Sequence, residues 1–146
     1  RSMSAQNYSN HRQYVPLFHY VAAPLAAVIL VGSAVNLVQS IGDHERLYSA
    51  SLLVAVSACL LLALWFCRSF ALKAQDRAIR AEENLRHYVL TGKLFDTALE
   101  TRQIIALRFA SDLELPALAR RAIAERLTPD AIKKAIQVWR PDLYRV

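Results

Sequence analysis

Charge is missing from two long stretches of this 146-residue chain. No Asp, Glu, Lys or Arg occurs from Gln13 to Gly42, and none from Leu47 to Cys67. Each stretch is long enough to cross about 30 Å of hydrocarbon as a helix. Glycine and proline are absent from residues 43–91, so nothing there breaks a helix. Cysteine is limited to Cys59 and Cys67. Two turns apart on one helix they cannot bridge each other, and their spacing suits neither a disulfide framework nor a zinc site. The four histidines, His11, His19, His44 and His87, are scattered and form no ligand motif, so neither metal nor cofactor is expected. No Gly-rich phosphate loop follows a strand, and no Ser or Cys set with His and carboxylate is suggested. Glu82-Glu83 and Asp112/Glu114 read as surface carboxylates. The chain is not expected to be an enzyme.

What is present divides unevenly. Residues 14–67 carry one basic and two acidic residues, all within Asp43-His44-Glu45-Arg46. Residues 68–146 carry fifteen Lys/Arg and ten Asp/Glu, a net of +5. An apolar half is joined to a charged helical half. The polar turn between the uncharged stretches makes them a transmembrane helical hairpin, with spans at about 15–38 and 47–67. Arg68, Lys73, Arg77 and Arg80 follow the second span and Arg12 precedes the first, against one basic residue in the turn. Positive-inside asymmetry places both termini in the cytoplasm and the turn outside. Tyr14, Phe18 and Tyr20 mark one cytoplasmic border, Trp65, Phe66 and Phe70 the other, and Tyr48 the outer one. A secretory signal peptide is the rival reading of the first stretch, with Gly32 and Ala34 resembling a cleavage site, but the stretch is longer than a signal h-region. Arg1-Ser2 ahead of Met3 reads as a cloning remnant. The basic balance invites nucleic acid, yet carboxylates are interleaved and a juxtamembrane segment is basic anyway, so no nucleic acid is expected.

The pattern predicts an all-α membrane protein. Residues 1–14 form a polar cytoplasmic segment, in which Asn7-Tyr8-Ser9 matches a glycosylation acceptor by chance. Pro16 suits a first helical turn, and Pro24 should kink the first span by freeing the Tyr20 carbonyl. The second span should continue as one helix through 68–92, to about Leu90, with Gly92 as its cap. Residues 93–146 form a C-terminal helical unit after a connector at 93–97. One helix is predicted over about 98–111. A second opens at Leu115-Pro116 and ends near Leu127. A third has Thr128 as N-cap and Pro129 in its first turn and closes at Pro141. No strand is predicted. Ile104, Ile105, Leu107, Phe109, Leu118, Ile123, Leu127, Ile132, Ile136 and Trp139, at helical spacing, form the candidate core. A core this small leans on the long helix or on another subunit.

Two constellations are candidates for contact. Ala71, Ala74, Ala78, Ala81, Leu85 and Tyr88 follow 3-4-3-4-3 spacing, a heptad seam of mostly small residues. It either self-associates or docks on a partner helix, or packs against this chain's own C-terminal helices. In the spans, Ala22/Ala26, Ala23/Ala27 and Ser51/Ala55 are spaced by four and allow close approach. Asn36, with Ser33 one turn away, is the deepest strongly polar side chain. It is either a pore-lining group or, preferably, a hydrogen bond to the neighbouring helix. His19 lies at the interface, where neutral imidazole is easily solvated. Arg120-Arg121 and Lys133-Lys134 read as a solvated face, with anionic headgroups the other option.

Three stretches carry a resemblance: Gln6-Asn7-Tyr8-Ser9-Asn10-His11, the run from Arg102 to Ala110, and Ile132-Lys133-Lys134-Ala135-Ile136 through Trp139 to Val146. From Met3 to Val146 the chain resembles a family of small bacterial inner-membrane proteins known only as a domain of unknown function. The resemblance implies a bacterial source and two spans, and it supplies no activity, cofactor or catalytic residue. The function expected is a non-enzymatic, membrane-anchored interaction module in the bacterial inner membrane. Its partners would be the bilayer, further copies of itself and a protein met through the cytoplasmic unit. The alternatives are a homo-oligomeric channel and an accessory subunit of a larger membrane complex.

Overall fold

The computed structural model describes residues 6–11 and 14–142. Arg1 and Ser2, Arg12 and the Leu143-Tyr144-Arg145-Val146 end of the resemblance lie outside them. Among the described residues the chain has five α-helices and no strand. It divides into two compact units, one of residues 14–71, the other of the described residues up to 11 and from 72 onward.

The first unit is a helical hairpin. Helix α1 spans Ala23–Gln39 and α2 spans His44–Thr91. Both are long and apolar enough to cross a membrane by length and composition. Proline acts on the helix just ahead of it. A π-turn, Leu17–Ala22, precedes Pro24, and Ala23 N–H donates to Phe18 O, five residues back. The disturbance expected from Pro24 is thus taken up by a wider turn, a common way of reassigning carbonyls that lose their donor. Ser40 N–H closes α1 on Asn36 O at 3.0 Å, and Gly42 turns the chain at φ 101°. Asp43 then accepts from Arg46 N–H at 3.2 Å and opens α2 as its N-cap.

The hairpin buries two ridges with heptad spacing. On α1 these are Ala23, Ala26, Leu30, Ser33, Leu37 and Ser40; on α2 they are Leu47, Ala50, Val54, Ser57, Leu61 and Leu64. Small residues occupy the tightest points, with Ala26, Ser33, Ser40, Ala50 and Ser57 buried. Their hydroxyls are satisfied within their own helices: Ser33 Oγ donates to Leu30 O, Ser40 Oγ to Asn36 O and Ser57 Oγ to Leu53 O, at 2.8, 2.8 and 2.6 Å. Of the expected small pairs, Ala22, Ala23 and Ala26 face this seam, while Ala27, Ser51 and Ala55 are exposed.

In the second unit α2 ends as its sequence implies. Gly92 takes φ 72° and donates to Tyr88 O at 2.7 Å, a left-handed cap open to glycine. Phe95 N–H donates to Asn84 Oδ1 at 3.2 Å, fastening the connector back onto α2. Helix α3, Thr101–Leu107, opens with a capping box between Glu100 and Gln103. Gln103 Nε2 also reaches Leu127 O, at 2.9 Å. Helix α4 spans Leu115–Ala124. Helix α5, Pro129–Ala135, has the expected N-cap, Thr128 accepting from Ala131 N–H. The core gathers Ile104, Leu107, Phe109, Leu118, Ile132 and Ile136, with Phe95, Leu99 and Leu115 added and Trp139 packed against it.

All three short helices are shorter than their apolar spacing suggests, and for α5 the cause is visible. It stops at Ala135 instead of reaching Pro141, because residues 136–140 turn back along residues 109–111. Ala110 and Trp139 form an isolated β-bridge. Arg140 N–H donates to Phe109 O at 2.7 Å and Ser111 N–H to Val138 O at 3.1 Å. Val138 N–H donates to Glu114 Oε1 at 3.1 Å. These bonds replace the helical ones, and the turn lays Trp139 on Phe109 with ring centroids 5.1 Å apart.

The hairpin seam makes a direct expectation. Ala50 is fully buried, so Ala50→Leu should overpack it at about 1–3 kcal/mol. Val56→Leu, on the exposed side, should stay within about 0.5 kcal/mol. Thermal unfolding in detergent reads both; the reverse order would put the seam on the other face.

Candidate functional site

Within residues 72–91, α2 turns one face to its own unit. Ile79 and Glu83 are buried, and Arg86 lies one turn on, with only 12% of its side chain exposed. Glu83 is thus not the surface carboxylate its flanking charges suggest. Its neighbour Glu82 and Asp112 do remain exposed, and Glu114 is half-buried. Positions 79, 83 and 86 lie on one helical face. A carboxylate at the middle position enters the unit's interior and needs a cation there.

Arg86 supplies it. Its Nη1 donates to Glu83 Oε2 at 2.9 Å and its Nε to Asp112 Oδ1 at 2.7 Å. Nη2 donates to Ala110 O at 2.7 Å, and Nη1 comes within 3.5 Å of Arg108 O. These carbonyls lie just beyond the end of α3, where a cation is favoured by unpaired backbone oxygens. Arg140 Nη1 approaches the other Glu83 oxygen at 3.4 Å. Arg108 is itself buried; its Nε pairs with Asp142 Oδ2 at 2.8 Å, and its guanidinium sits 4.5 Å from the Phe109 ring centre. Burial pushes the Glu83 carboxyl above its ordinary range, and the hydrogen bond and charge of Arg86, then the charge of Arg140, only partly offset this.

A polar cleft of about 140 Å³ opens between these groups, lined by Gln75, Ala78, Ile79, Glu82 and Glu83 of α2 and by Arg108, Arg140, Pro141 and Asp142. It has room for a small polar molecule. Both Glu83 oxygens are engaged by guanidinium groups, an arrangement that suits a fastening better than a proton-transferring base. Among the described residues no three His, Cys, Asp or Glu side chains gather as a metal site requires.

The N-terminal turn joins the same unit. Asn7 Oδ1 accepts from Ser9 N–H at 2.9 Å and from Ser9 Oγ at 2.6 Å, so the acceptor-like tripeptide is folded on itself. Tyr8 Oη donates to Asp130 Oδ1 at 2.5 Å, and Lys134 pairs with the same carboxylate at 2.7 Å. Those contacts, Lys134 first and Tyr8 next, hold the exposed Asp130 carboxyl below its usual range. His11 packs against both Phe109 and Trp139, 5.9 Å from each ring, with Lys133 Nζ 3.1 Å from its Nε2. Asp142 N–H donates to Gln6 Oε1 at 2.7 Å.

The residues singled out from sequence lie elsewhere. Ala71, Ala74, Ala78, Ala81, Leu85 and Tyr88 are all exposed; Ala78 edges the cleft beside Ile79, while Ala74, Ala81, Leu85 and Tyr88 lie on the far side of α2 from Ile79 and Glu83. None of the six is buried against the chain's own C-terminal helices. Ser33 is buried in the hairpin but bonds its own helix. Asn36 is exposed, and among the described residues no hydrogen bond carries its side chain to α2, so the bridge preferred from sequence is not made within the chain. The seam register explains this, since positions 33 and 37 face inward and 36 cannot. Sequence reading missed Glu83, Arg86, Arg108 and Arg140. For Glu83 and Arg86 the available signal was charge at positions continuing the Ile79 face; Arg108 and Arg140 lie off that helix and gave none.

The geometry defines an all-helical protein in which an apolar hairpin interrupts a small unit held by buried ion pairs. The chain belongs to the family described as Family of unknown function (DUF6526), whose model matches residues 3–146. The stretches that carried the resemblance, as far as they are described, converge in the second unit, around Phe109 and Trp139. No curated protein and no solved structure matches the chain.

The ion pairs predict an asymmetry. Arg86→Met strands a buried carboxylate and two carbonyls and should cost about 3–5 kcal/mol. Glu83→Gln leaves Arg86 with Asp112 and Ala110 and should cost far less. A raised carboxyl in the folded state stabilises the protonated form, so the Glu83 contribution is full below pH 4.5 and lost as pH rises through the folded value. Wild type should therefore gain on Glu83→Gln as pH falls toward 4.5. Unfolding followed by Trp139 fluorescence, with Trp65 replaced by Phe, reads both; equal losses for the two variants would refute the assignment.

Proposed function

We propose that this protein is a non-enzymatic, membrane-anchored interaction module of the bacterial inner membrane that associates with further copies of itself. The hairpin is the anchor. Its outward side chains include Leu17, Val28, Val31, Val56, Leu62 and Trp65, all more than half exposed, an apolar surface larger than water tolerates on a soluble monomer. Lipid is the solvent that suits it. Both termini lie in the cytoplasm in this reading, because Arg68, Lys73, Arg77 and Arg80 outnumber Arg46. The Tyr8–Asp130 and Gln6–Asp142 bonds support the same topology, since segments bonded together lie on one side of a bilayer.

The observation that carries the interaction role is the two-faced character of α2. One face is occupied by the chain's own residues around 108–112 and Arg140, while the opposite face leaves Leu85 and Tyr88 63% and 52% exposed. A homo-oligomeric channel is the second reading. It is favoured by Asn36, whose exposed side chain is available to another subunit. Asn36→Leu should then suppress ion flux from liposomes; in an interaction module no flux is expected at all.

Topology is tested with single cysteines in a chain lacking Cys59 and Cys67. A cysteine replacing His44 should react with an impermeant thiol reagent in intact cells, and one replacing Lys93 should not. Labelling at 93 alone would invert the orientation, and labelling at both in intact cells would mean that the helix between them does not cross the bilayer.

A further inference from the structure

We infer that the exposed face of α2 takes a second copy of this chain, parallel and in register, with Arg77 of each copy paired to Glu82 of the other. The inference rests on the self-associating, membrane-anchored reading and adds its geometry. Ala74, Ala78, Ala81, Leu85 and Tyr88 alternate in steps of four and three, the spacing of a coiled-coil seam. Leu85 and Tyr88 are large apolar side chains left in the open, and Ala74, Ala78 and Ala81 ahead of them allow the two axes to approach to roughly 8 Å.

Charge supplies the occupant and its direction. Arg77 and Glu82 are both exposed, one on each flank of this face. Five residues apart on one helix, they point about 140° away from each other and cannot meet. Neither has an ion-pair partner among the described residues. In a parallel pair the flanking position before one heptad meets the flanking position five residues later on the other helix, which is the relation between Arg77 and Glu82. In an antiparallel pair like flanks meet. Arg77 and Asn84 would then face one another on one side and Gln75, Glu82 and Val89 on the other, with no opposite charges joined. Two copies inserted alike in one bilayer already run the same way, and confinement to the membrane raises their effective concentration enough for a short seam to suffice.

Full-length protein in native membranes, with Cys59 and Cys67 replaced by Ala, carries the test. In a parallel pair each seam residue lies opposite itself, within disulfide reach. Ala74→Cys and Ala81→Cys should each give a disulfide-linked dimer on mild oxidation, and Arg80→Cys, off the seam, should not. Arg77→Glu should weaken dimer formation roughly fivefold by setting like charges together, and Arg77→Glu with Glu82→Arg should restore it. Dimers that persist without cross-links at 74 and 81, or that ignore the charge reversal, overturn this geometry and leave self-association standing. A protein that is monomeric in the membrane by single-molecule counting overturns both.

Discussion

The Arg86 guanidinium is the contact on which the second unit depends. It neutralises a carboxylate inside the unit, donates to Asp112 at its rim and satisfies carbonyls beyond the end of α3. Three separate requirements meet on one planar group with five donors, a geometry lysine lacks. Ile79 could hold α2 against the core by apolar contact alone, but apolar contact is non-directional. The fork of Arg86 fixes which way α2 is rotated, and that rotation decides which face of the helix is consumed and which is left over.

The N-terminal turn applies the same logic at the chain's other end. Six described residues, 6–11, have no helix and little apolar area, so their place depends on specific partners. Tyr8 is held by Asp130, and the His11 ring sits on Phe109 and Trp139. Phe109 and Trp139 are brought together only because α5 ends early and its successor pairs with residues 109–111. The shortened helix therefore creates the surface that the N-terminal turn occupies. Gln6 bonds the backbone of Asp142, whose carboxylate holds Arg108, so the turn and the ion pairs share one set of residues.

Helices were legible where the signal was local. Uncharged length announced the hairpin, Gly92 and Thr128 marked ends with their own chemistry, and unbroken composition predicted α2 through to its cap. What escaped depended on contacts distant in sequence. The end of α5 is decided by residues 25 or more positions earlier, and no property of Ile136 or Gln137 foretells it. Glu83 looked solvated because Glu82 and Arg80 surround it; only the register against Ile79, combined with the arrival of residues 108–112, places it inside. Asn36 misled for the opposite reason. A polar residue in an apolar run suggests a bonded partner, yet the seam register turns it outward.

Register also explains why the two halves of α2 use different chemistry on their buried faces. In the hairpin the polar seam atoms are serine hydroxyls that return to carbonyls of their own helix, so no hydrogen bond needs the partner helix and burial leaves nothing unsatisfied. Such a seam is held by close packing, as suits the lipid surroundings proposed, where apolar contact between helices gains nothing over contact with lipid. Past residue 72 the buried face carries Glu83 and Arg86, whose charges would be prohibitive in lipid but are bearable where water reaches the rim through Arg140 and Asp112. The change from hydroxyl to ion pair along one continuous helix thus follows the change of solvent that the uncharged stretch implies.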